Sequence, residues 1–189
     1  MIEIRWHGRG GQGAKTAALL FAESVLPTGK HVQAFPEYGP ERMGAPVQSF
    51  NRISDKPITL HSAATSPTYV VILDPSLMNC VNVTAGLVKG GKIIVNSTFS
   101  PKEIAARLGI NPKQVYVVDA SHIALNTIKL NKPNTPMLGA LIKVMDLDIK
   151  SILKDTKEKL TEKFRHKPQV IEGNMACIKR AYDEVVTHN

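Results

Sequence analysis

Ile4-Arg5-Trp6-His7-Gly8-Arg9-Gly10-Gly11-Gln12-Gly13-Ala14-Lys15-Thr16 is the stretch whose reading decides the fold. Ile2 to Trp6 reads as a short strand, and it runs into four glycines within six residues. Ala14, Ala17, Ala18, Leu19, Leu20, Phe21 and Ala22 then supply the composition of a helix. Gly8, Gly10 and Gly13 fit a G-x-G-x-x-G spacing, in the order strand, tight turn, helix start that a phosphate site needs. Glycines let the backbone approach a ligand closely. The free N–H groups at the helix start, aided by the helix dipole, favour an anion. Arg9 and Lys15 add positive charge. The plain alternative is a tight strand-to-helix turn with no ligand.

Two better-known phosphate motifs fit badly. A P-loop needs Lys directly after its last glycine, but Ala14 stands there and Lys15-Thr16 come one place late. A dinucleotide fold wants an acidic residue at the end of its second strand. Here the second strand, His31 to Phe35, ends in Pro36-Glu37-Tyr38-Gly39-Pro40, a turn. The reading is a phosphate cradle, not an NAD site.

With 189 residues, 43% apolar and 21% charged, the chain has the composition of one soluble globular domain, residues 1–189. Cys80 and Cys177 lie far apart with no Cys-x-x-Cys, so the chain cannot hold an iron–sulfur cluster or a cysteine zinc site of its own. A reduced, cytoplasmic protein is expected. Met1-Ile2-Glu3-Ile4 opens as a strand and not as a signal peptide, and no apolar run reaches membrane-spanning length. The net charge is +8, but the lysines of Lys150 to Lys167 alternate with Asp155, Glu158 and Glu162 at helical spacing, which describes a solvated face. With 5% aromatics and no recognition motif, neither a nucleic acid nor a membrane is an expected partner.

Beyond the glycine turn, Gly29 ends the first helix and His31 to Phe35 forms the next strand. A Gly- and Pro-dense loop, Glu37 to Pro46, follows, in which Arg42 is suited either to hold a phosphate or to be solvated. Val47 to Ile53 alternates as a half-exposed strand. Thr68 to Leu73 is a strand buried on both faces, and Asp74-Pro75-Ser76 caps a helix expected to run to about Lys89. Lys92 to Asn96 is a strand, Ser100-Pro101-Lys102-Glu103 starts a capped helix, and Gln114 to Val118 is a strand leading through Asp119 to a helix from His122. From Asn131 the chain is helical: Met137 to Val144 with Gly139 and Ala140 for close packing, Asp148 to Phe164, and a last helix to Val186. Strands alternating with capped helices give a three-layer α/β/α fold with a mainly parallel, Rossmann-like sheet and a helical C-terminal part. Gly8, Asp74, Asn96 and Asp119 fall at the carboxyl ends of strands, where such sheets bind ligands. Asp74 and Asp119 read as helix caps, and Asn96 is left open. Asn134 reads as a cap and Asn174 as a surface helix position.

No His-Glu-x-x-His, nucleophile elbow or spaced carboxylate pair is present, and the six histidines are scattered. The chain reads as a ligand-holding domain with no catalytic residues of its own, with no metal ligands.

The stretches Ile4 to Gly13, Val32 to Pro46, Phe50-Asn51-Arg52-Ile53 and Asn134 to Leu141 resemble, in that order, the gamma subunit of the 2-oxoacid:ferredoxin oxidoreductases. The likeness is strongest to pyruvate:ferredoxin oxidoreductase (pyruvate synthase) and covers essentially the whole chain. The resemblance implies assembly with alpha, beta and delta subunits. It places thiamine diphosphate and [4Fe-4S] clusters on those partner subunits and makes ferredoxin the electron acceptor of the complex. It implies oxidative decarboxylation of pyruvate or another 2-oxoacid to acyl-CoA, with coenzyme A held partly by this chain. Carried over by position, Gly8, Arg9, Gly10, Gly11 and Gln12 wrap the coenzyme A phosphates, Arg42 pairs with a phosphate, and Asn134 and Asn174 supply amide hydrogen bonds. A free-standing nucleotide-binding domain and a purely structural interface subunit are the rival readings. Substrate choice belongs to the thiamine site, so the 2-oxoacid is not read from this chain.

Overall fold

The structure, a computed structural model, describes residues 1–37 and 43–188. In chain order the elements are β1 (Ile2–Arg9), α1 (Ala14–Val25), β2 (His31–Pro36), β3 (Pro46–Ser54), β4 (Tyr69–Ile72), β5 (Lys92–Asn96), α2 (Pro101–Leu108), β6 (Val115–Val118), α3 (Ala120–Ile128), α4 (Asn134–Val144), α5 (Ile149–Lys163), α6 (Pro168–Glu184) and β7 (Val186–Thr187). Among the described residues one seven-stranded sheet forms, in the order β2-β3-β1-β4-β5-β6-β7. β1, β4, β5 and β6 pair in parallel, whereas β3 runs antiparallel to both β1 and β2, and β7 antiparallel to β6. Five strands therefore point the same way, and the mainly parallel α/β/α reading holds.

Side-chain alternation along the strands builds two cores. Ile4, Trp6, Val71, Leu73 and Ile94 face one side, where they pack with α1, α3, α4, α5 and α6. Val70, Ile72, Ile93 and Val95 face the other, against Leu77, Val83 and Ile104 of α2. Asn51 of β3 ties the first layer together. It accepts from Trp6 Nε1 at 2.7 Å and donates to the Ala18 carbonyl of α1 at 2.8 Å.

Three expected boundaries change, each for a physical reason. β1 continues to Arg9 because β3 keeps pairing with it, Gly8 opposite Val47 and Arg9 opposite Pro46, so Gly8 lies in a strand and the turn is Gly10 to Gly13. The helix expected from Pro75 to Lys89 is a five-residue 3-10 turn, Pro75–Asn79, followed by irregular chain. Buried Arg5 explains it: its guanidinium takes the carbonyls of Val83 at 3.0 Å and Ala85 at 2.7 Å, acceptors that a helix would commit to its own amides. Gly86, at φ +68°, also passes so close to the chain that a Cβ there would lie 1.9 Å from the Thr65 carbonyl oxygen. The last helix stops at Glu184, and the β-branched pair Val186–Thr187 joins β6 instead.

Candidate functional site

The order of the sheet reverses between β1 and β4: from β1 the chain crosses by α1 to β2 on one side, while β4 lies on the other. Their adjacent carboxyl ends, Arg9 and the Leu73–Asp74 step, flank the crevice in which open α/β sheets bind ligands. The glycine turn occupies it. Gly11 (φ +94°) and Gly13 (φ +85°) are left-handed, and Gly13 is the residue that caps α1. The first helical bond runs from Ala17 N to Gly13 O, so the amides of Ala14, Lys15 and Thr16 have no intrahelical acceptor. A Cβ on Gly11 would meet nothing within 4 Å, so that backbone faces open space.

Several ties fix the turn. Gln12 N donates to Arg9 O at 3.0 Å, and Arg9 N donates to Gln12 Oε1 at 2.8 Å. Gly10 N donates to Ala45 O, and Gly44 N to Gly10 O. Across the crevice, Asp74 accepts from Arg9 Nε at 3.1 Å and from Gln12 Nε2 at 2.8 Å. Burial pushes the Asp74 carboxyl up, but Ser76, Gln12 and Arg9 outweigh burial and hold it below the usual carboxylate range. Asp74 also caps the 3-10 turn, as its sequence position suggests.

The helical half reaches the same place. Asn134 is the first residue of α4 and not its cap, which is Pro133. Its side chain presses on the turn: a Cβ on Gly13 would lie 2.9 Å from Asn134 Nδ2. Asn174 of α6 accepts from Thr135 Oγ1 at 2.8 Å and donates to the Val170 carbonyl at 2.6 Å, so it is a half-buried link between helices and not the surface position its pattern suggests. A cavity of about 1060 Å³ between α1, α5, α6 and the α3–α4 loop is walled by Gly11, Gln12, Asn134 and Asn174 together. Gly8, Arg9 and Gly10 lie outside those walls. Gly8 instead lets α1 approach β1, since a Cβ there would stand 3.2 Å from Ala14 Cβ, and the Arg9 guanidinium spans Asp74, Ser76 and the Gly44 carbonyl. Arg42 lies outside the described residues.

Sequence reasoning passed over Thr16, Lys129 and Lys132 in the cavity wall. Lys129-Leu130-Asn131-Lys132 reads locally only as a loop, and its place beside the glycine turn is set by α3 packing on α4 and α6. Asn96, open in the sequence, is structural: it donates to Leu73 O and Ser121 Oγ and accepts from Ser121 N, clasping β5 to the start of α3. A smaller cavity of about 650 Å³, beside Phe35, Phe50 and His61, lies on the sheet face away from α1 and does not touch the turn.

Directly before the turn, His7 is 2% exposed and its Nε2 accepts from Arg5 Nε at 3.0 Å, which requires that nitrogen to be unprotonated. Burial, then the Arg5 charge, push the imidazole from its ordinary 6.5 down to about 4. The unfolded chain therefore binds this proton more readily, and stability is complete above about pH 6.5 and drains away as pH falls towards 4. The expected loss between pH 7 and pH 5 is about 2 kcal/mol in urea titrations. In His7→Gln, which keeps an acceptor for Arg5, most of that pH dependence should vanish. An equally steep acid loss in the variant would assign it elsewhere.

The family model described as pyruvate ferredoxin/flavodoxin oxidoreductase matches residues 3–184. The chain belongs to that family. Pyruvate synthase subunit PorC of Thermotoga maritima is 45% identical over 185 residues, 97% of this chain and 94% of that protein. The pyruvate/ketoisovalerate oxidoreductases common subunit gamma of Pyrococcus abyssi is 49% identical over 160 residues, 82% of this chain and 86% of its own. The crystal structure of the Thermotoga maritima pyruvate oxidoreductase subunit PORC superposes with a TM-score of 0.85 at 42% identity, covering 100% of this chain and 98% of that one. A 2-oxoglutarate:ferredoxin oxidoreductase from Magnetococcus marinus, solved with 2-oxoglutarate, coenzyme A and succinyl-CoA bound, shares the fold (TM-score 0.73, 19% identity) over 96% of this chain and 30% of its own. This chain is accordingly a gamma-type subunit of a multisubunit oxidoreductase of the pyruvate/2-oxoacid family. Among the described residues no helix is long and apolar enough to cross a membrane.

Proposed function

We propose that this chain is the gamma subunit of a cytoplasmic pyruvate:ferredoxin oxidoreductase and that it holds coenzyme A for the complex. Pyruvate is named for the relatives at both 45% and 49% identity, the second being named for ketoisovalerate as well. The observation that carries the coenzyme A reading is the glycine turn opening at Gly11 into the cavity that Asn134 and Asn174 share. The donor set fits the ligand. A diphosphate would lie against Gly11, Gln12 and the first-turn amides, where the helix dipole favours negative charge. Asn134 and Asn174 would meet the neutral polar part, and Leu19, Ile128 and Leu130 would cover apolar surface. Coenzyme A supplies the thiol that accepts the acyl group, and this chain orients it. Arg42 joins the phosphate set on the strength of the family resemblance.

Thiamine diphosphate and the iron–sulfur clusters belong, in this reading, to the alpha, beta and delta subunits, and ferredoxin takes the electrons from them. This chain has two cysteines, Cys80, which is exposed, and Cys177, which is buried.

The test uses two left-handed glycines with open space for a Cβ, Gly11 in the cradle and Gly29 at the end of the turn after α1. Replacing either by Ala should cost about 1 kcal/mol of stability through backbone strain alone. Only Gly11→Ala should also weaken coenzyme A binding to the assembled complex, by on the order of tenfold in calorimetry. Equal binding by the two variants would remove the glycine turn from the coenzyme A site.

A further inference from the structure

Asp74 takes four donors on two oxygens: Arg9 Nε and Gln12 Nε2 on Oδ2, and the Ser76 amide and hydroxyl on Oδ1. Gln12 stands between it and the turn. An ionised carboxylate only accepts, and a backbone N–H only donates. Gln12 must therefore give its NH₂ to Asp74 and its Oε1 to Arg9 N, and the flipped amide would oppose oxygen to carboxylate and NH₂ to N–H. The charge at position 74 thus chooses the orientation of the side chain that braces Gly10 and Gly11. The same carboxylate draws Arg9 across the crevice, where Ser76 Oγ accepts from Arg9 Nη2 at 2.8 Å and the Gly44 carbonyl from Nη1 at 3.0 Å. Gly44 N in turn donates to Gly10 O, which closes a ring of contacts around the turn.

We infer that Asp74 is a positioning residue for the glycine turn: through Gln12 and Arg9 it holds the backbone of Gly10 to Gly13 in the shape that lets Gly11, Gly13 and the start of α1 face a phosphate. Its contribution to a helix cap is a separate matter. Asp119, at the end of β6, makes the same kind of cap to His122 N and braces no turn. A carboxylate beside an anion site repels the anion unless its charge is spent elsewhere, and here the Arg9 cation and three further hydrogen bonds occupy it. The arrangement is a preorganised cradle, in which the order is already present before a ligand arrives. The binding arm of the test rests on the coenzyme A reading; the backbone arm does not.

The experiment uses the assembled oxidoreductase and compares Asp74→Ala, Asp74→Asn and Asp119→Ala. In amide hydrogen exchange, peptides covering residues 8–16 should exchange on the order of tenfold faster in Asp74→Ala, the loss of a charged hydrogen-bond acceptor, and at the original rate in Asp119→Ala. Unchanged protection in Asp74→Ala overturns the proposal. Coenzyme A binding should weaken by a similar factor in Asp74→Ala, with KM for coenzyme A raised and the rate recovering at saturating coenzyme A. Asp74→Asn, which keeps an acceptor for Gln12, should recover part of it. In a Gln12→Ala background the Asp74→Ala loss should shrink to the Arg9 share, whereas fully multiplicative losses would overturn the coupling. If the unaltered complex bound no coenzyme A, the reading of the ligand would fall, and hydrogen exchange would still decide the role of Asp74.

Discussion

Gly139→Ala is expected to destabilise this chain by about 3 kcal/mol or more, although alanine is the better helix former. Two effects oppose each other at this position. Alanine in a helix interior gains about 1 kcal/mol over glycine. Against that, a Cβ at 139 would lie 2.1 Å from the Ile178 carbonyl oxygen, 2.8 Å from its carbon and 3.0 Å from its Cα. All three atoms belong to the backbone of α6, so no rotamer relieves the clash and the helices must separate. α4 is buried at Thr135 to Ile142 without a break, and α6 packs Cys177, Ile178 and Ala181 into the same core, so separation opens voids along the interface. The steric term therefore wins. Gly109→Ala offers the control: its φ is +65°, a Cβ there meets nothing within 4 Å, and the expected cost is about 1 kcal/mol from backbone strain alone. Urea midpoints of the two variants test the contrast, and a Gly139→Ala chain as stable as the original would mean that α4 and α6 sit further apart. The same separation would pull Asn174 from Thr135 and widen the cavity, so coenzyme A binding should fall in parallel.

Local signals carried much of this fold. The glycine turn, the Ser100 and Glu103 capping box, and the small pair Gly139-Ala140 each depend on residues a few places apart, and each is found close to where its spacing puts it, the turn shortened to Gly10 to Gly13 because Gly8 stays in β1. What escaped depends on partners distant in the chain. Nothing near residues 75–89 announces that Arg5, 78 and 80 residues away, needs the carbonyls of Val83 and Ala85. Nothing in the period-2 pattern of β3 tells parallel from antiparallel, because the side-chain alternation is the same in both. The candidate site divides the same way. Gly11 and Gln12 were legible as a turn, and Asn134 and Asn174 came from family likeness. Asp74 looked like an ordinary cap, because its second oxygen meets Arg9 and Gln12 only after β4 has been laid beside β1.

Arg52→Met should cost about 3–5 kcal/mol and loosen a specific loop. Arg52 is 1% exposed and faces the side of the sheet away from α1, where its Nε donates to Glu3 Oε1 at 2.8 Å. Its Nη atoms donate to the carbonyls of Leu60 (3.3 Å), Ser62 (2.7 Å) and Ala63 (3.1 Å), and its guanidinium lies 5.3 Å from the centre of the Phe35 ring. One side chain therefore fastens the irregular segment after β3 to the sheet, and Glu3 adds to it by accepting from Ser66 N at 3.1 Å. Methionine would fill much of the volume but leave Glu3 as a buried carboxylate without its cation and three carbonyls without a donor. Glu3→Gln removes the charge from the other end, while its amide oxygen can still accept from Arg52. The pair should couple, the double variant costing less than the two single losses added. Limited proteolysis gives the local reading: cleavage between residues 55 and 66 should rise in Arg52→Met well before global unfolding. Resistance equal to the original chain would mean that the loop is held by Gln33, which donates to the Ile58 carbonyl at 3.3 Å, and not by the arginine fork.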